Sequence, residues 1–182
     1  MTRGAVFLDR DGVLNRAPVK NGAPQSPRRI EDVEILPGVP EALQQLRAAG
    51  FRLIVVTNQP DVARGTLARE FVDAIHARLQ SALPLHEFRV CYHDDADECD
   101  CRKPKPGMLL EAAHDAGLDL AASFLVGDRW RDIEAGHRAG CRTALVDHGY
   151  AEPDSRPPDV RVKSLVEAAA WILRCSGVTD AS

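Results

Sequence analysis

Two carboxylates stand one residue apart in Asp9-Arg10-Asp11-Gly12, directly after the apolar run Val6-Phe7-Leu8. Acids that close repel each other when both are ionised, so the pair implies a bound cation, a shared proton or both. Other polar residues follow other apolar runs: Thr57 and Asn58 after Val55-Val56, and Asp128 in Leu125-Val126-Gly127-Asp128. In a parallel α/β sheet the carboxyl ends of the strands share one edge, where such folds place their ligands. Residues as distant in sequence as Asp9 and Asp128 can therefore meet in one site.

A second constellation is Cys91-Tyr92-His93 followed by Cys99-Asp100-Cys101. Three thiols and an imidazole form the closed tetrahedral donor set of a structural Zn²⁺ site, at spacings tighter than the commonest fingers. The competing reading is a flexible loop of unligated cysteines, which a stretch so polar and acidic would bury poorly. Asp94, Asp95, Asp97 and Glu98 are expected to be solvated. Cys141 and Cys175 read as core residues. With five cysteines in 182 residues, an odd count, a disulfide framework is not expected.

The elements that must position these groups alternate. Ala5 to Leu8, Arg52 to Val56, Phe88 to Tyr92, Ser123 to Val126 and Arg142 to Val146 read as strands. Helical periodicity covers Val39 to Ala49, Leu67 to Leu79, Gly107 to Ala116 and Trp130 to Ala139, with Gly50, Gly117 and Gly140 near their ends. Ser164 can cap a last helix running to Arg174. The alternation predicts an α/β fold: a Rossmann-like three-layer sandwich around a mainly parallel sheet, as a single domain over residues 1–182. The proline-rich segment 12–37 is expected to form a flap beside the first strand, and 91–103 the zinc loop. The spacing between motifs leaves no room for a large cap domain.

A hydrophobic fraction of 45%, a charged fraction of 27% and a mean hydropathy of -0.24 describe a globular chain. A net charge of -4 argues against nucleic acid as a partner, and no apolar run is long enough to cross a membrane. The amino terminus lacks the pattern of a secretory signal, so a cytoplasmic, monomeric protein is the expectation.

Asp9-Arg10-Asp11-Gly12, Thr57-Asn58, Lys103 and Gly127-Asp128-x-x-x-Asp132 together resemble, in order, the signatures of the haloacid dehalogenase superfamily of phosphohydrolases. The resemblance implies that Asp9 attacks phosphorus to form an aspartyl-phosphate, and that Asp11 is the general acid and base. It implies a catalytic Mg²⁺ held by Asp9, the main-chain carbonyl of Asp11 and Asp128. Thr57 and Asn58 would contact the phosphoryl oxygens and Lys103 would neutralise charge. Asp132 would orient Lys103 or a metal-bound water, or else is a first-turn acid favoured by the helix dipole.

The Cys-x-His and Cys-x-Cys-Arg-Lys-Pro loop is similar to the branch that contains the bacterial D,D-heptose 1,7-bisphosphate phosphatases and the histidinol-phosphate phosphatases. Val55-Val56-Thr57-Asn58-Gln59 with Ala63-Arg64-Gly65, and Lys105-Pro106-Gly107-Met108-Leu109-Leu110, look more like the heptose enzymes. Pro60-Asp61 departs from a usual Ser-Gly, and Ala17-Pro18-Val19-Lys20 from a usual His-Gly-Tyr. A small phosphorylated sugar is the implied substrate, with Asn58, Gln59 and Arg102 as binding residues and Arg64 and Arg129 as weaker candidates. Arg102, between Cys101 and Lys103, is placed to grip a second phosphate. His76, His86, His114, His137 and His148 are read as structural or surface residues. A reading of a different class is an inactive binding module that holds a partner through its zinc loop; the joint presence of Asp9, Asp11, Thr57, Lys103 and Asp128 counts against it.

Overall fold

The computed structural model describes residues 4–20, 22–153 and 155–177. Its centre is a six-stranded sheet built from β1 (Ala5–Leu8), β4 (Arg52–Asn58), β5 (Glu87–Cys91), β6 (Phe124–Gly127), β7 (Arg142–Val146) and β8 (Val160–Val162), in the order β5-β4-β1-β6-β7-β8. Every neighbouring pair in it is parallel. Two further strands, β2 (Val19–Lys20) and β3 (Ala23–Pro24), form a small antiparallel hairpin in the flap.

All four residues of β1 are buried, and their side chains divide between two cores. Val6 and Leu8 pack with Leu43 and Leu46 of α1 (Val39–Ala48), Ile75 and Leu79 of α2 (Arg69–Ala82), and Leu165 and Ala168 of α5 (Leu165–Cys175). Ala5 and Phe7 pack with Met108 and Leu109 of α3 (Gly107–Ala116) and Ala135 of α4 (Trp130–Ala139). Alternate residues of a strand face opposite sides of a sheet, so apolar residues throughout demand helices on both faces. The three-layer sandwich follows. Burying a side chain such as Leu109 contributes about 2 kcal/mol, and the fully buried Leu8, Leu43, Leu53 and Leu79 repeat that gain across the sheet.

The elements match the sequence pattern with local differences. β4 runs two residues beyond Val56 because Thr57 and Asn58 still pair with Val90 and Cys91 of β5. α2 begins at Arg69 rather than Leu67 because Thr66 and Leu67 donate their N–H groups back to the Asp61 carbonyl in a turn. β8 is an additional strand of three residues behind a proline-rich loop. Ser164 caps α5 as expected, its Oγ accepting from Glu167 N at 3.3 Å.

Between β1 and α1 lies the flap. Besides its hairpin it holds a single short 3-10 turn, Ile30–Asp32, and is pinned by Arg16 N to Glu34 O and Leu36 N to Leu14 O. No described helix is long and apolar enough to cross a membrane.

Candidate active site

The chain turns sharply after β1. Asp9 N donates to Val126 O of β6 at 2.9 Å, and Leu14 N closes back on Arg10 O at 2.9 Å. Gly12 has φ +85°, and a Cβ there would lie 2.1 Å from Asp128 Oδ2, so both conformation and space require glycine. The turn thereby brings Asp9, Asp11 and Asp128 to one strand edge.

Lys103 joins them from the far end of loop 91–103. Its side chain is buried, and Nζ donates to Asp9 Oδ1 at 2.8 Å, Asp132 Oδ1 at 2.5 Å and the Val56 carbonyl at 2.7 Å. Burial alone would lower the lysine pKa, but Asp132 and Asp9 outweigh it and hold the ammonium charged. The Asp9 carboxyl is shifted upward as well. Its burial, with the charges of Asp132 and Asp11 nearby, raises its carboxyl to about 6 against the pull of Lys103. Asp128 is pushed well above its ordinary value by burial and by the neighbouring charges of Asp9 and Asp132.

Asp132 makes two sets of contacts. One oxygen takes Lys103, and Oδ2 accepts from Arg129 N at 3.0 Å, capping the first turn of α4. Both of its oxygens are therefore engaged, one of them by the lysine. Carboxylate oxygens of Asp9, Asp128 and Asp132 all lie within 4.8 Å of one another, and Asp128 Oδ2 is buried without a hydrogen-bond partner among the described residues. An unpartnered carboxylate oxygen beside a second carboxylate is a donor set for a hard cation such as Mg²⁺.

Asp11 carries five hydrogen bonds. Arg10 reaches both its oxygens, Asn15 Nδ2 donates to Oδ1 at 2.9 Å, and Ser26 Oγ and Gln59 Nε2 donate to Oδ2 at 2.8 and 3.3 Å. Burial pushes its carboxyl up, but Arg10, Asn15 and Ser26 outweigh that and leave it below the usual range. The group is held ionised, the form that accepts a proton.

Thr57 is buried with Oγ1 accepting from Gln59 Nε2 at 2.9 Å. The Asn58 side chain is engaged with the Lys103 backbone. A cavity of about 390 Å³ opens over these groups, and Asp9, Asp11, Thr57, Asn58, Gln59, Arg64, Arg102, Lys103, Asp128, Arg129 and Asp132 all line it. The structure therefore gathers at one place every residue expected at the phosphate and Mg²⁺ end of the site.

Cys91, His93, Cys99 and Cys101 also come together, with sulfur atoms 2.9–3.6 Å apart and His93 Nδ1 3.3 Å from Cys101 Sγ. One donor atom from each of the four lies within 4.8 Å of the others, and none of the cysteines is in a disulfide. Ligands on a tetrahedral Zn²⁺ at ~2.3 Å would be spaced by roughly 3.8 Å, so the cluster fits a metal with little adjustment.

One expectation needs correction. Asp94 and Asp95 are not simply solvated: Asp94 takes the Arg64 guanidinium at 2.6 and 2.7 Å, and Asp95 accepts from Arg102 Nε at 2.8 Å and Arg131 at 3.1 Å. The Arg64 pair holds the Asp94 carboxyl down at about 2. His76 and His148, read as structural or surface residues, have specific partners within the fold: His76 Nε2 lies 3.1 Å from Arg10, and His148 Nε2 lies 2.7 Å from the Gly12 carbonyl. Arg129 pairs with Glu152 and lies over the Tyr150 ring. Sequence reasoning missed Arg10, Ser26, His76, Asp95 and Arg131. The one available signal was Arg10, a charged residue set between two acids at the end of a buried strand.

Comparison with known proteins places this geometry. A haloacid dehalogenase-like hydrolase model matches residues 6–81, and a second, HAD-hydrolase-like model matches residues 100–168. The chain is 35% identical to a D-glycero-D-manno-heptose-1,7-bisphosphate 7-phosphatase of Thermosynechococcus vestitus, over 94% of this chain and 96% of that one. The chain belongs to this family of haloacid dehalogenase-like phosphatases. A second member, the D-glycero-beta-D-manno-heptose-1,7-bisphosphate 7-phosphatase of Pseudomonas aeruginosa, is 36% identical over 82% of this chain and 84% of its own length. Among solved structures, the D,D-heptose 1,7-bisphosphate phosphatase of B. bronchiseptica, complexed with magnesium and phosphate, superposes with a TM-score of 0.77 at 29% identity, covering 94% of this chain and 98% of that one. In this chain the strand-edge acids, the buried lysine and the cavity above them form the candidate catalytic centre.

Proposed function

We propose that this chain is a Mg²⁺-dependent phosphomonoesterase that removes the 7-phosphate of D-glycero-D-manno-heptose 1,7-bisphosphate through an aspartyl-phosphate. The observation that carries the reading is the Lys103 ammonium held between Asp9 and Asp132 in a buried site where Asp128 keeps an unpartnered oxygen. Such a site is built to receive an anion next to an anionic nucleophile, which only fixed positive charge permits.

Asp9 supplies the carboxylate oxygen that bonds to phosphorus. Lys103 keeps that carboxylate charged and offers its own charge to the transferring phosphoryl group. Thr57, at the end of β4, donates to a phosphoryl oxygen. Asp11, which must first take up a proton against the bonds that favour its ionised form, gives it to the departing sugar oxygen and, left ionised, later takes one from the water that hydrolyses the aspartyl-phosphate. Asp9, Asp128 and the main-chain carbonyl of Asp11 would hold Mg²⁺, which when bound supplies charge against the phosphoryl oxygens.

Cys91, His93, Cys99 and Cys101 are read as a structural Zn²⁺ site that fixes the loop delivering Lys103. Arg102, with Arg131 beside it, faces the same cavity and is the group we assign to the distal phosphate, with Gln59, Arg64 and Arg129 around the rim. The flap 12–37 and loop 91–103 then act as the covers of a single catalytic domain.

The test is kcat/KM across heptose bisphosphates, histidinol phosphate and common sugar phosphates. A preference for the heptose bisphosphate of about a hundredfold, worth ~2.7 kcal/mol, is expected. A comparable preference for histidinol phosphate would replace the substrate, and inactivity throughout would return the chain to the class of binding modules.

A further inference from the structure

Arg10 sits between the nucleophile and Asp11, yet it is 0% exposed. A guanidinium is stable in such a place only when its charge is paired and its donors are used. Here Nε and one terminal nitrogen hold the Asp11 carboxylate in a fork, at 3.2 and 2.7 Å. The same terminal nitrogen reaches Ser26 Oγ at 3.0 Å, and the other meets His76 Nε2 at 3.1 Å. Arginine can only donate, so His76 Nε2 accepts and its proton lies on Nδ1. His76 is buried on α2 and stacked on Phe88, with ring centroids 4.6 Å apart. The Asp11 carboxylate is thus clamped from three elements: the sheet edge, α2 and the flap.

We propose that Arg10, backed by His76 and closed over by Ser26, is a positioning residue for the second half of the reaction. The inference rests on the aspartyl-phosphate reading above. In that half, a water oxygen bonds to the phosphorus carried by Asp9 while the bond from phosphorus to the Asp9 oxygen breaks, its electron pair returning to the Asp9 carboxylate. The proton of the water passes to an Asp11 oxygen. A two-point fork fixes the plane of that carboxylate, whereas a carboxylate without it turns about its broad terminal torsion. Arg10 touches no reacting atom and acts through Asp11.

An activated aryl ester, p-nitrophenyl phosphate, separates the two halves, because its leaving group departs without a proton. Formation of the aspartyl-phosphate then bypasses Asp11, and its hydrolysis does not. For the Mg²⁺-loaded Arg10→Met variant, kcat falls roughly ten- to hundredfold and KM falls with it, leaving kcat/KM within about threefold of wild type. Rapid mixing shows a burst of nitrophenolate approaching one equivalent. His76→Leu, which leaves one Arg10 donor without its acceptor, gives a weaker form of the same pattern, and His76→Gln restores the acceptor and the rate. If Arg10→Met does not fold, the His76 pair carries the test. A parallel fall in kcat and kcat/KM without a burst would make Arg10 merely structural and overturn the proposal, as would an unchanged kcat. Asp9→Asn is run alongside: if it keeps turnover, the aspartyl-phosphate reading itself fails, whatever Arg10 does.

Discussion

The side chain of Asn58 grips the backbone of Lys103 on both sides, its Oδ1 accepting Lys103 N–H and its Nδ2 donating to the Lys103 carbonyl, each at 3.0 Å. The last residue of β4 is thereby spliced to the end of loop 91–103, and Lys103 Nζ is delivered between Asp9 and Asp132. Asn58→Leu removes two hydrogen bonds worth about 1 kcal/mol each and releases the lysine backbone. Thermal melting should show a loss of about 2 kcal/mol, and kcat should fall at least about tenfold, or ~1.4 kcal/mol in the barrier. A variant that loses stability but keeps its kcat would show that Lys103 does not need this anchor.

Metal removal addresses the other end of the same loop. Three sulfurs and a ring nitrogen crowd together with no disulfide among them, an arrangement a bound cation stabilises and bare thiols do not. A strong chelator, followed by restoration of excess Mg²⁺, is expected to lower Tm, and elemental analysis of the untreated protein should find one zinc per chain. An unchanged melting curve in a zinc-free protein contradicts the assignment.

Arg102 is largely buried, at 11% side-chain exposure, and Asp95, at 59%, holds it from the solvent side. An exposed ion pair contributes little, so a phosphate dianion can take the place of Asp95 at small cost. Arg102→Ala should raise KM for a sugar bisphosphate about tenfold, ~1.4 kcal/mol of binding, while KM for the matching monophosphate moves little. Equal effects on both substrates would remove Arg102 from the distal phosphate.

Asp159 ties the start of β8 to β7: its Oδ2 accepts from Thr143 N at 2.7 Å and Thr143 Oγ1 at 2.9 Å. Partial burial pushes its carboxyl up, and the two Thr143 bonds outweigh that and hold it below the ordinary value. A depressed folded-state pKa stabilises the protein above the unfolded-state pKa, and that stability is lost as pH falls through the folded value. Asp159→Asn should therefore cost about 1 kcal/mol at neutral pH, and its Tm deficit should shrink as the pH is lowered below about 4. A deficit independent of pH would mean that the charge plays no part.

Much of this site was legible because its residues lie where a parallel sheet puts them. Asp9, Thr57 and Asp128 each end an apolar strand, and a shared edge brings such residues together without further information. That Asp132 would orient Lys103 was one of the alternatives left open, since a pairing between a loop and a helix turn depends on how α4 docks. The positions of Ser26 and His76 were not legible: the flap has no periodicity, and His76 reads like any other residue on the inner face of α2. The loop acids were misjudged because a run of carboxylates looks solvated until the arginines facing it, Arg64, Arg102 and Arg131, are brought in from other segments. Three residues were too few to announce β8.

The central claim, that Asp9 is the nucleophile of a Mg²⁺-dependent phosphatase, is tested most directly by quenching the enzyme in acid during turnover of a phosphorylated sugar and mapping the covalent phosphate. The account predicts phosphate on Asp9, seen only when Mg²⁺ is supplied, and no label or phosphate release in Asp9→Asn. Phosphate release that persists in Asp9→Asn, or a label carried by another residue, would contradict it.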